Sequence, residues 1–163
     1  MSETYRFFCD AMLGGLARWL RAAGYSACFD VHIRDGELVR RCLEEGRCLL
    51  TSDSGLLERY ALTEGLVEYV FVPRDLSPIR QLAHMIDRLK LEIGDSRCME
   101  CDGELQEVPL EQVRGQVPPK VQAVCSRFFR CSGCGKTYWR GTHWESIQRK
   151  LSRAVELAGG GSA

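Results

Sequence analysis

Residues 5–24 read YRFFCDAMLGGLARWLRAAG, which predicts a short strand, an aspartate and then an amphipathic helix closed by Gly24. Phe7 and Phe8 are adjacent and apolar, as expected of a strand that is covered on both faces. Apolar side chains of the following helix recur at i, i+3, i+4 and i+7. Asp10 directly follows the strand, and the carboxyl ends of parallel strands form the crevice where open α/β sheets bind ligands. The stretch therefore predicts an α/β fold with an acid at its ligand-binding edge.

The same strand–helix unit recurs by pattern, not by identity, as far as about residue 93. The further strands are expected at 27–29, 47–51 and 67–72, and the further helices at 36–45, 55–63 and 78–91. Strands that alternate with helices predict a parallel sheet with right-handed crossovers, flanked by helices. Composition divides the chain into a first domain at 1–93, a cysteine-containing segment at 94–143, a C-terminal helix at 144–158 and a disordered tail at 159–163.

Size, charge and cysteine content limit the class of protein. The 163 residues lack any apolar run long enough to span a membrane and lack a signal peptide, so we expect no membrane association. Nine cysteines are an odd number, and four of them form CxxC pairs, which favours bound metal in a reducing compartment over a disulfide scaffold. We therefore expect a cytoplasmic protein.

The charge is unevenly distributed along the chain, although its formal net value is zero. Residues 1–93 carry 12 Lys and Arg against 14 Asp and Glu, whereas residues 94–163 carry 10 against 8. An acidic half joined to a basic segment suits a metal-dependent enzyme that acts on a polyanion. The plain alternative is that the basic run is a solvated surface.

Aspartates follow every predicted strand, namely Asp10, Asp30 and Asp35, Asp53 and Asp75. Because parallel strands share a direction, these acids should gather at one edge of the sheet, where several carboxylates favour a neutralising cation. Hard oxygen ligands favour Mg²⁺ or Mn²⁺, which can assist phosphodiester cleavage. Each acid also has a structural alternative: a turn for Asp10, a helix N-cap for Asp35 or Asp53, and a loop position for the other two. Glu37 competes with Asp35 for the second acidic position.

The pairs Cys98-x-x-Cys101 and Cys131-x-x-Cys134 predict a closed tetrahedral Zn²⁺ site with a structural role. Their separation indicates an insertion at about 107–124, and glycines after each pair, Gly103 and Gly135, are expected to adopt positive φ. The other cysteines are expected to be structural thiols: Cys9, Cys28, Cys42, Cys48 and Cys125.

Basic residues interleave with aromatic ones in the second half of the chain, as in surfaces that stack bases and contact phosphates. The candidate nucleic-acid-binding residues are Arg18, Arg21, Arg127, Arg130, Lys136, Arg140 and His143. A solvated surface is the alternative for the two arginines of the first helix, and capping or packing for the histidine.

The chain resembles the Mut-seven C-terminal ribonuclease-domain family over about residues 5–150. The blocks that carry the likeness are FFCDAMLGGLARWLRAAGY, RDGELV, GRCLLTSD, CMECDGEL and CSGCGKTYWRGTHW, in this order. The resemblance implies a PIN-like nuclease domain at 1–93 with a zinc ribbon attached. It also implies that Asp10, Asp35 and Asp53 are the acids of the active site and that the four CxxC cysteines bind zinc. The family often has paired acids at its second position; here Arg34 precedes Asp35, which keeps Glu37 open as the alternative.

The sequence thus leads to the hypothesis of a ribonuclease that uses Mg²⁺ or Mn²⁺ and grips RNA with its ribbon. The alternative is a non-catalytic RNA- or ribosome-binding adaptor that works through the ribbon. A third hypothesis is the toxin of a toxin–antitoxin pair. The RNA substrate, the mode of cleavage and the oligomeric state do not follow from the sequence.

Overall fold

Strands and helices alternate over the first half of the chain, as the apolar periodicity predicts. A computed structural model describes residues 4–60 and 64–160. Its first eight elements are β1 (Arg6–Cys9), α1 (Gly14–Ala22), β2 (Ser26–Phe29), α2 (Asp35–Glu45), β3 (Cys48–Thr51), α3 (Ser54–Arg59), β4 (Tyr69–Phe71) and α4 (Pro78–Leu89). The helix expected at 55–63 is α3, which begins one residue earlier, at Ser54, and ends at Arg59. Residues 61–63 lie outside the described part of the chain.

The four strands form one parallel sheet in the order β2-β1-β3-β4. Phe7 of β1 is in register with Ala27 on one side and with Cys48 on the other. The chain leaves β1 toward one side of the sheet to form β2 and crosses to the other side to form β3. The crevice at such a switch point, at the carboxyl ends of the central strands, is where open α/β sheets bind ligands.

Helices cover both faces of the sheet, which confirms the prediction from the adjacent phenylalanines. Phe7 packs in a core with side chains of α1 and α4, whereas Phe8 packs in a second core with side chains of α2 and α3. Both rings are almost completely buried. The predicted helix boundaries also hold where residue chemistry specifies them. Gly24 follows α1 with φ of 102°, and Ser77 accepts a hydrogen bond from the Arg80 amide at the start of α4.

The cysteine-containing segment forms a three-stranded antiparallel sheet in the order β5-β6-β7. Its strands are β5 (Leu105–Val108), β6 (Phe128–Cys131) and β7 (Thr137–Trp139). The expected insertion lies between β5 and β6 and contains α5 (Leu110–Val113), a short 3-10 turn (Arg114–Gln116) and α6 (Pro119–Val124). Val113, Val117 and Phe128 form a small core beneath it.

The last helix, α7 (Thr142–Gly160), is longer than the expected 144–158. The Glu145 amide donates to the Gly141 carbonyl, so Thr142 lies inside the helix and not at its N-cap. Gly159 and Gly160 are helical, whereas residues 161–163 of the expected tail lie outside the described residues. Leu151, Ala154 and Ala158 of α7 are buried in the same core as α1 and α4, so this helix completes one face of the parallel sheet. Within the described residues, no helix is long and apolar enough to cross a membrane.

Candidate functional site

Asp10 and Asp53 meet at the carboxyl edge of the sheet through the side chain of Thr51. The Thr51 hydroxyl donates to Asp10 Oδ2 at 2.7 Å and accepts the Asp53 amide at 3.0 Å. Asp10 is only 6% exposed, and its Oδ1 accepts the Ala11 amide at 2.7 Å. β1 and β3 are adjacent, so the acids that follow them meet as the parallel topology requires. These bonds fix the orientation of the Asp10 carboxylate.

Asp35 reaches the same edge through Arg59, the last residue of α3. One nitrogen of that guanidinium lies 3.0 Å from Asp35 Oδ2 and 3.8 Å from Asp53 Oδ2. Asp53 also caps α3, because its Oδ1 accepts the amides of Gly55 and Leu56 at 2.9 and 3.3 Å. The N-cap alternative is therefore correct for Asp53, which still has a second oxygen turned toward Arg59. Asp10 and Asp53, which follow β1 and β3, thus lie at one edge, and the Arg59 side chain connects Asp53 with Asp35 at the start of α2.

The remaining acids have other roles. Arg34 occupies the N-cap of α2, so the N-cap alternative for Asp35 is wrong. Glu37 lies two residues further along α2 and pairs with Arg40 at 3.8 Å. Asp30 accepts the His32 amide in a turn after β2, in keeping with its loop alternative. The contacts at the edge are thus made by Asp35 and not by Glu37.

The three acids at the edge are not arranged as a closed ligand set. Within the described residues, the only group of three or more His, Cys, Asp or Glu whose ligand atoms all lie within 4.8 Å of one another is formed by four cysteines. Mg²⁺ usually binds one or two carboxylates and keeps several waters. Asp10, Asp53 and Asp35 thus offer oxygen donors of the type that a partly hydrated Mg²⁺ uses, but they do not form an all-protein cage.

The four cysteines that the CxxC spacing selected come together at the base of the ribbon. Cys98 Sγ lies 3.8 Å from Cys134 Sγ, and Cys101 Sγ lies 3.3 Å from Cys131 Sγ. Ligands about 2.3 Å from a tetrahedral Zn²⁺ are about 3.8 Å apart, so the cluster has the size and chemistry to hold zinc. Burial acts to raise the pKa of Cys131, but the Cys134 amide, the Cys101 thiol and the Gly133 amide lower it to about 6.

The backbone around the first pair differs from the expectation in one respect. Positive φ occurs at Asp102, with φ of 73°, and not at Gly103; in the second pair it occurs at Gly135, as expected. Gly103 is required for a different reason. A Cβ atom there would lie 2.5 Å from Cys131 Sγ and 3.2 Å from Cys101 Sγ. The glycine therefore leaves room for the sulfur atoms.

Asp102 joins the first cysteine pair to β2, the edge strand of the parallel sheet. Its Oδ1 accepts the Ala27 amide at 3.0 Å, and its Oδ2 accepts the Ser26 hydroxyl at 2.6 Å. Arg21 complements it, since its Nε donates to the Ala27 carbonyl at 2.8 Å and its Nη1 to the Met99 carbonyl at 2.9 Å. Asp102 and Arg21 thus bind both outward-facing backbone groups of Ala27, as a neighbouring strand would.

This arrangement corrects the prediction that Arg21 contacts nucleic acid. The residue is 7% exposed, and its donors are used by backbone carbonyls of β2 and of the first cysteine pair. Arg130 is also engaged elsewhere, because its Nη2 donates to the Gln112 carbonyl of the insertion at 2.6 Å. Neither Arg21 nor Arg130 lines the cleft that the other basic residues share, and the role of Arg130 in binding RNA stays a prediction.

The other five predicted nucleic-acid-binding residues line one cleft of about 540 Å³ between α1, the linker after α4, the ribbon and the start of α7. They are Arg18, Arg127, Lys136, Arg140 and His143. Two carboxylates neutralise part of their charge. Glu107 forms a two-bond pair with Arg127, and Glu100 lies 3.4 Å from both Arg18 and Lys136. Aromatic rings of Phe129, Tyr138, Trp139 and Trp144 also line the cleft.

The remaining cysteines are free thiols, as expected. Burial raises the pKa of Cys42 and of Cys48 to about 12, and it raises the pKa of Cys9 further. Burial also raises the pKa of Cys28. These groups therefore stay protonated and serve as small apolar side chains of the two cores.

Three residues that organise the site were not identified from the sequence: Thr51, Arg59 and Asp102. Thr51 stands two positions before Asp53, where a hydroxyl at a strand end can bond the next loop. Arg59 had no signal, because its role depends on the distance between two helices. Asp102 follows a zinc ligand in a turn, and nothing in the local sequence indicates its contact with β2.

Comparison with known proteins gives one family. No curated protein matches the chain. The model of the Mut7-C RNAse domain matches residues 5–151, a span that includes the acidic edge, the four-cysteine cluster and the first half of α7. The name of the family indicates a ribonuclease-type domain, and hence RNA as the class of substrate. With a match of this extent, in agreement with the resemblance expected from the sequence blocks, the chain belongs to the Mut7-C RNAse domain family.

Proposed function

We propose that the protein is a PIN-like, metal-dependent ribonuclease that hydrolyses RNA phosphodiester bonds at the carboxyl edge of its parallel sheet. The observation that supports this most strongly is the meeting of Asp10 and Asp53 at Thr51. A nearly buried carboxylate held by two hydrogen bonds beside two further acids is a costly arrangement that a cation stabilises.

The acids would hold Mg²⁺ or Mn²⁺, with Asp10 as the fixed ligand and Asp53 and Asp35 completing the site. When bound, the cation would activate the attacking water and offset the charge on the scissile phosphate. Thr51 orients Asp10 and the loop that carries Asp53. We assign the second acidic position to Asp35 and not to Glu37, because Asp35 shares Arg59 with Asp53. The four-cysteine zinc site would have a structural role and would keep the ribbon in place.

The experiment compares cleavage of a labelled single-stranded RNA in Mn²⁺ by the wild type and by Asp10→Asn. We expect the variant to lose at least about a hundredfold in rate, since loss of even an outer-shell partner of a metal costs tenfold to a hundredfold. Asp87→Asn is the matched control, because Asp87 is exposed on α4 and pairs only with Lys90 among the described residues. Equal cleavage by wild type and Asp10→Asn, with zinc content unchanged, would refute the catalytic assignment.

The adaptor hypothesis also has a specific observation in its favour. Arg59 already neutralises Asp35 and Asp53, so the edge does not require a metal ion to be stable. An adaptor of this kind would bind RNA but take up no Mn²⁺ at the acidic edge. Titration calorimetry with Mn²⁺ distinguishes the two functions, since the ribonuclease should bind Mn²⁺ and lose that binding in Asp10→Asn.

We place the protein in the cytoplasm. The nine cysteines form no disulfide, and four of them are close enough to share a zinc ion, as expected in a reducing compartment.

A further inference from the structure

The cleft beside the ribbon is separate from the acidic edge. Asp10 precedes α1, whereas the cleft is lined by Arg18 at the middle of α1 and by linker residues 94–97. Those linker residues contact the C-terminal end of α1, where the Gly94 amide donates to the Ala23 carbonyl at 2.8 Å. Nine helical residues rise about 14 Å. The cleft and the acids therefore lie toward opposite ends of one helix.

Arg140 is the cation of this cleft that is best placed for a ligand. Its guanidinium lies 5.5 Å from the centre of the Phe129 ring and 5.0 Å from that of Trp144. Among the described residues it has no ion pair with a carboxylate, unlike Arg18, Arg127 and Lys136. An exposed arginine held between two rings is preorganised both to contact a phosphate and to extend a stack of bases.

The surroundings of Arg140 favour an anion that also carries a flat, apolar group. The Arg127 guanidinium also lies 5.4 Å from the centre of the Phe129 ring, and the Lys136 ammonium lies 5.3 Å from the centre of the Tyr138 ring. The start of α7 adds amides without partners inside the helix and the positive end of its dipole. Charge and aromatic surface together match nucleotides better than they match an acidic peptide, whose carboxylates offer no ring to stack.

The exposed surface of α1 connects the cleft with the acidic edge. Met12, Gly15 and Arg18 are exposed and follow one another along this surface at three-residue spacing. Gly15 has no side chain to protrude from this surface, and it allows α1 to approach α4 closely, since a Cβ atom there would lie 2.8 Å from Pro78 Cγ. The Arg74 side chain lies against the Met12 sulfur at 3.9 Å, close to the loop of Asp10. A single strand laid along this surface would meet cations at both ends.

We propose that this cleft is a second RNA subsite, which binds unpaired nucleotides through Arg140 and Trp144 at a fixed distance from the bond that is cut. The proposal rests on the ribonuclease function for its ligand. The length of α1, about 14 Å, corresponds to about four nucleotides at the 3.4 Å rise of a stacked strand, and to fewer in an extended strand. The subsite would therefore set a minimum length for efficient substrates.

Binding is measured by fluorescence anisotropy with a labelled, unstructured 12-nucleotide RNA and with proteins that carry Asp10→Asn, so that no cleavage intervenes. Adding Arg140→Ala should weaken binding about tenfold and reduce the slope of log affinity against log salt concentration by about one. Trp144→Ala should weaken binding by a similar factor, whereas Trp144→Phe, which keeps a ring, should restore most of it. Arg88→Ala is the matched control, since Arg88 is an exposed arginine of α4 outside the cleft.

Cleavage provides the second measurement. With otherwise active protein, Arg140→Ala should lower kcat/KM for RNAs longer than about six nucleotides and leave that for dinucleotides and trinucleotides unchanged. An equal loss for all lengths, an equal effect of Arg88→Ala, or unchanged 12-nucleotide binding would overturn the proposal. Displacement of the RNA by equimolar polyglutamate would overturn it in favour of an acidic protein partner. RNA binding that depends on Arg140 without any Mn²⁺-dependent cleavage would support the subsite and refute the ribonuclease.

Discussion

At the scale of single residues, two arginines of α1 that look equivalent in the sequence have different surroundings in the structure. Arg21 carries the same charge as Arg18 and lies three residues further along α1, but it is buried and binds backbone carbonyls of two elements. Its charge is compensated by Asp102, 3.8 Å away. Residue type alone therefore does not separate a structural arginine from a ligand-binding one.

Gly103 offers the sharpest test at this scale. Gly103→Ala would place a Cβ atom 2.5 Å from Cys131 Sγ, so the cluster must distort, and we expect zinc affinity to fall by at least about tenfold. Competition with a chromophoric chelator measures this affinity. Gly115→Ala is the control, because no atom lies within 4 Å of the added Cβ. Equal zinc affinity in the two variants would contradict the steric role of Gly103.

At the scale of elements, the acid that precedes α3, Asp53, makes two kinds of contact with that helix. Asp53 caps the helix with Oδ1 and turns Oδ2 toward Arg59. Both contacts require the loop after β3 to keep its conformation. The hydrogen bond from the Asp53 amide to the Thr51 hydroxyl stabilises this conformation. The N-cap and ligand alternatives considered for this residue are therefore compatible.

The two functions of Asp53 can be separated by substitution. Asp53→Asn keeps an oxygen that can cap α3, so the free energy of unfolding should change by no more than a few tenths of a kcal/mol, while Mn²⁺ affinity falls. Asp53→Ala should lose both, with a stability cost of about 1 kcal/mol. Urea unfolding and Mn²⁺ calorimetry on the same samples measure the two effects. A stability loss in Asp53→Asn as large as in Asp53→Ala would mean that the charge, and not the cap, stabilises the helix.

The elements that could be predicted are those whose apolar spacing and terminal residues agree. β1 with its two phenylalanines, Gly24 and the Ser77–Pro78 start of α4 lie where the pattern places them. The meeting of Asp10 and Asp53 at one edge also follows, because parallel topology determines it. Arg59 and Asp102 act through side-chain reach between elements that are distant in sequence, and no local pattern encodes such a distance.

At the scale of the whole molecule, the zinc ribbon and the parallel sheet are connected by buried polar contacts. Asp102 and Arg21 link the first cysteine pair to β2, and α7 returns from the ribbon to complete the core of the sheet. The stability of the sheet should therefore depend on an ion that lies outside it.

Removal of zinc with a chelator tests this dependence. Loss of the hydrogen-bonded Asp102 carboxylate from β2 should cost about 2 kcal/mol, which lowers the Tm of the sheet by about 5 °C in a protein of this size. Thermal unfolding followed by circular dichroism measures the shift, and addition of Zn²⁺ should reverse it. Asp102→Asn with zinc retained should give part of the same loss. If the chelator leaves the Tm of the parallel sheet unchanged, the stability of the sheet does not depend on the ribbon.

The contacts at Ala27 have one more consequence. β2 is an edge strand, and an uncovered edge is a template on which a second copy of the chain can add its own strand. Asp102 and Arg21 occupy the backbone groups of Ala27 on that edge, so we expect zinc bound by the four cysteines to protect the protein against aggregation as well as against unfolding. The zinc-stripped protein should therefore self-associate at concentrations where the zinc-loaded protein does not, a difference that light scattering detects.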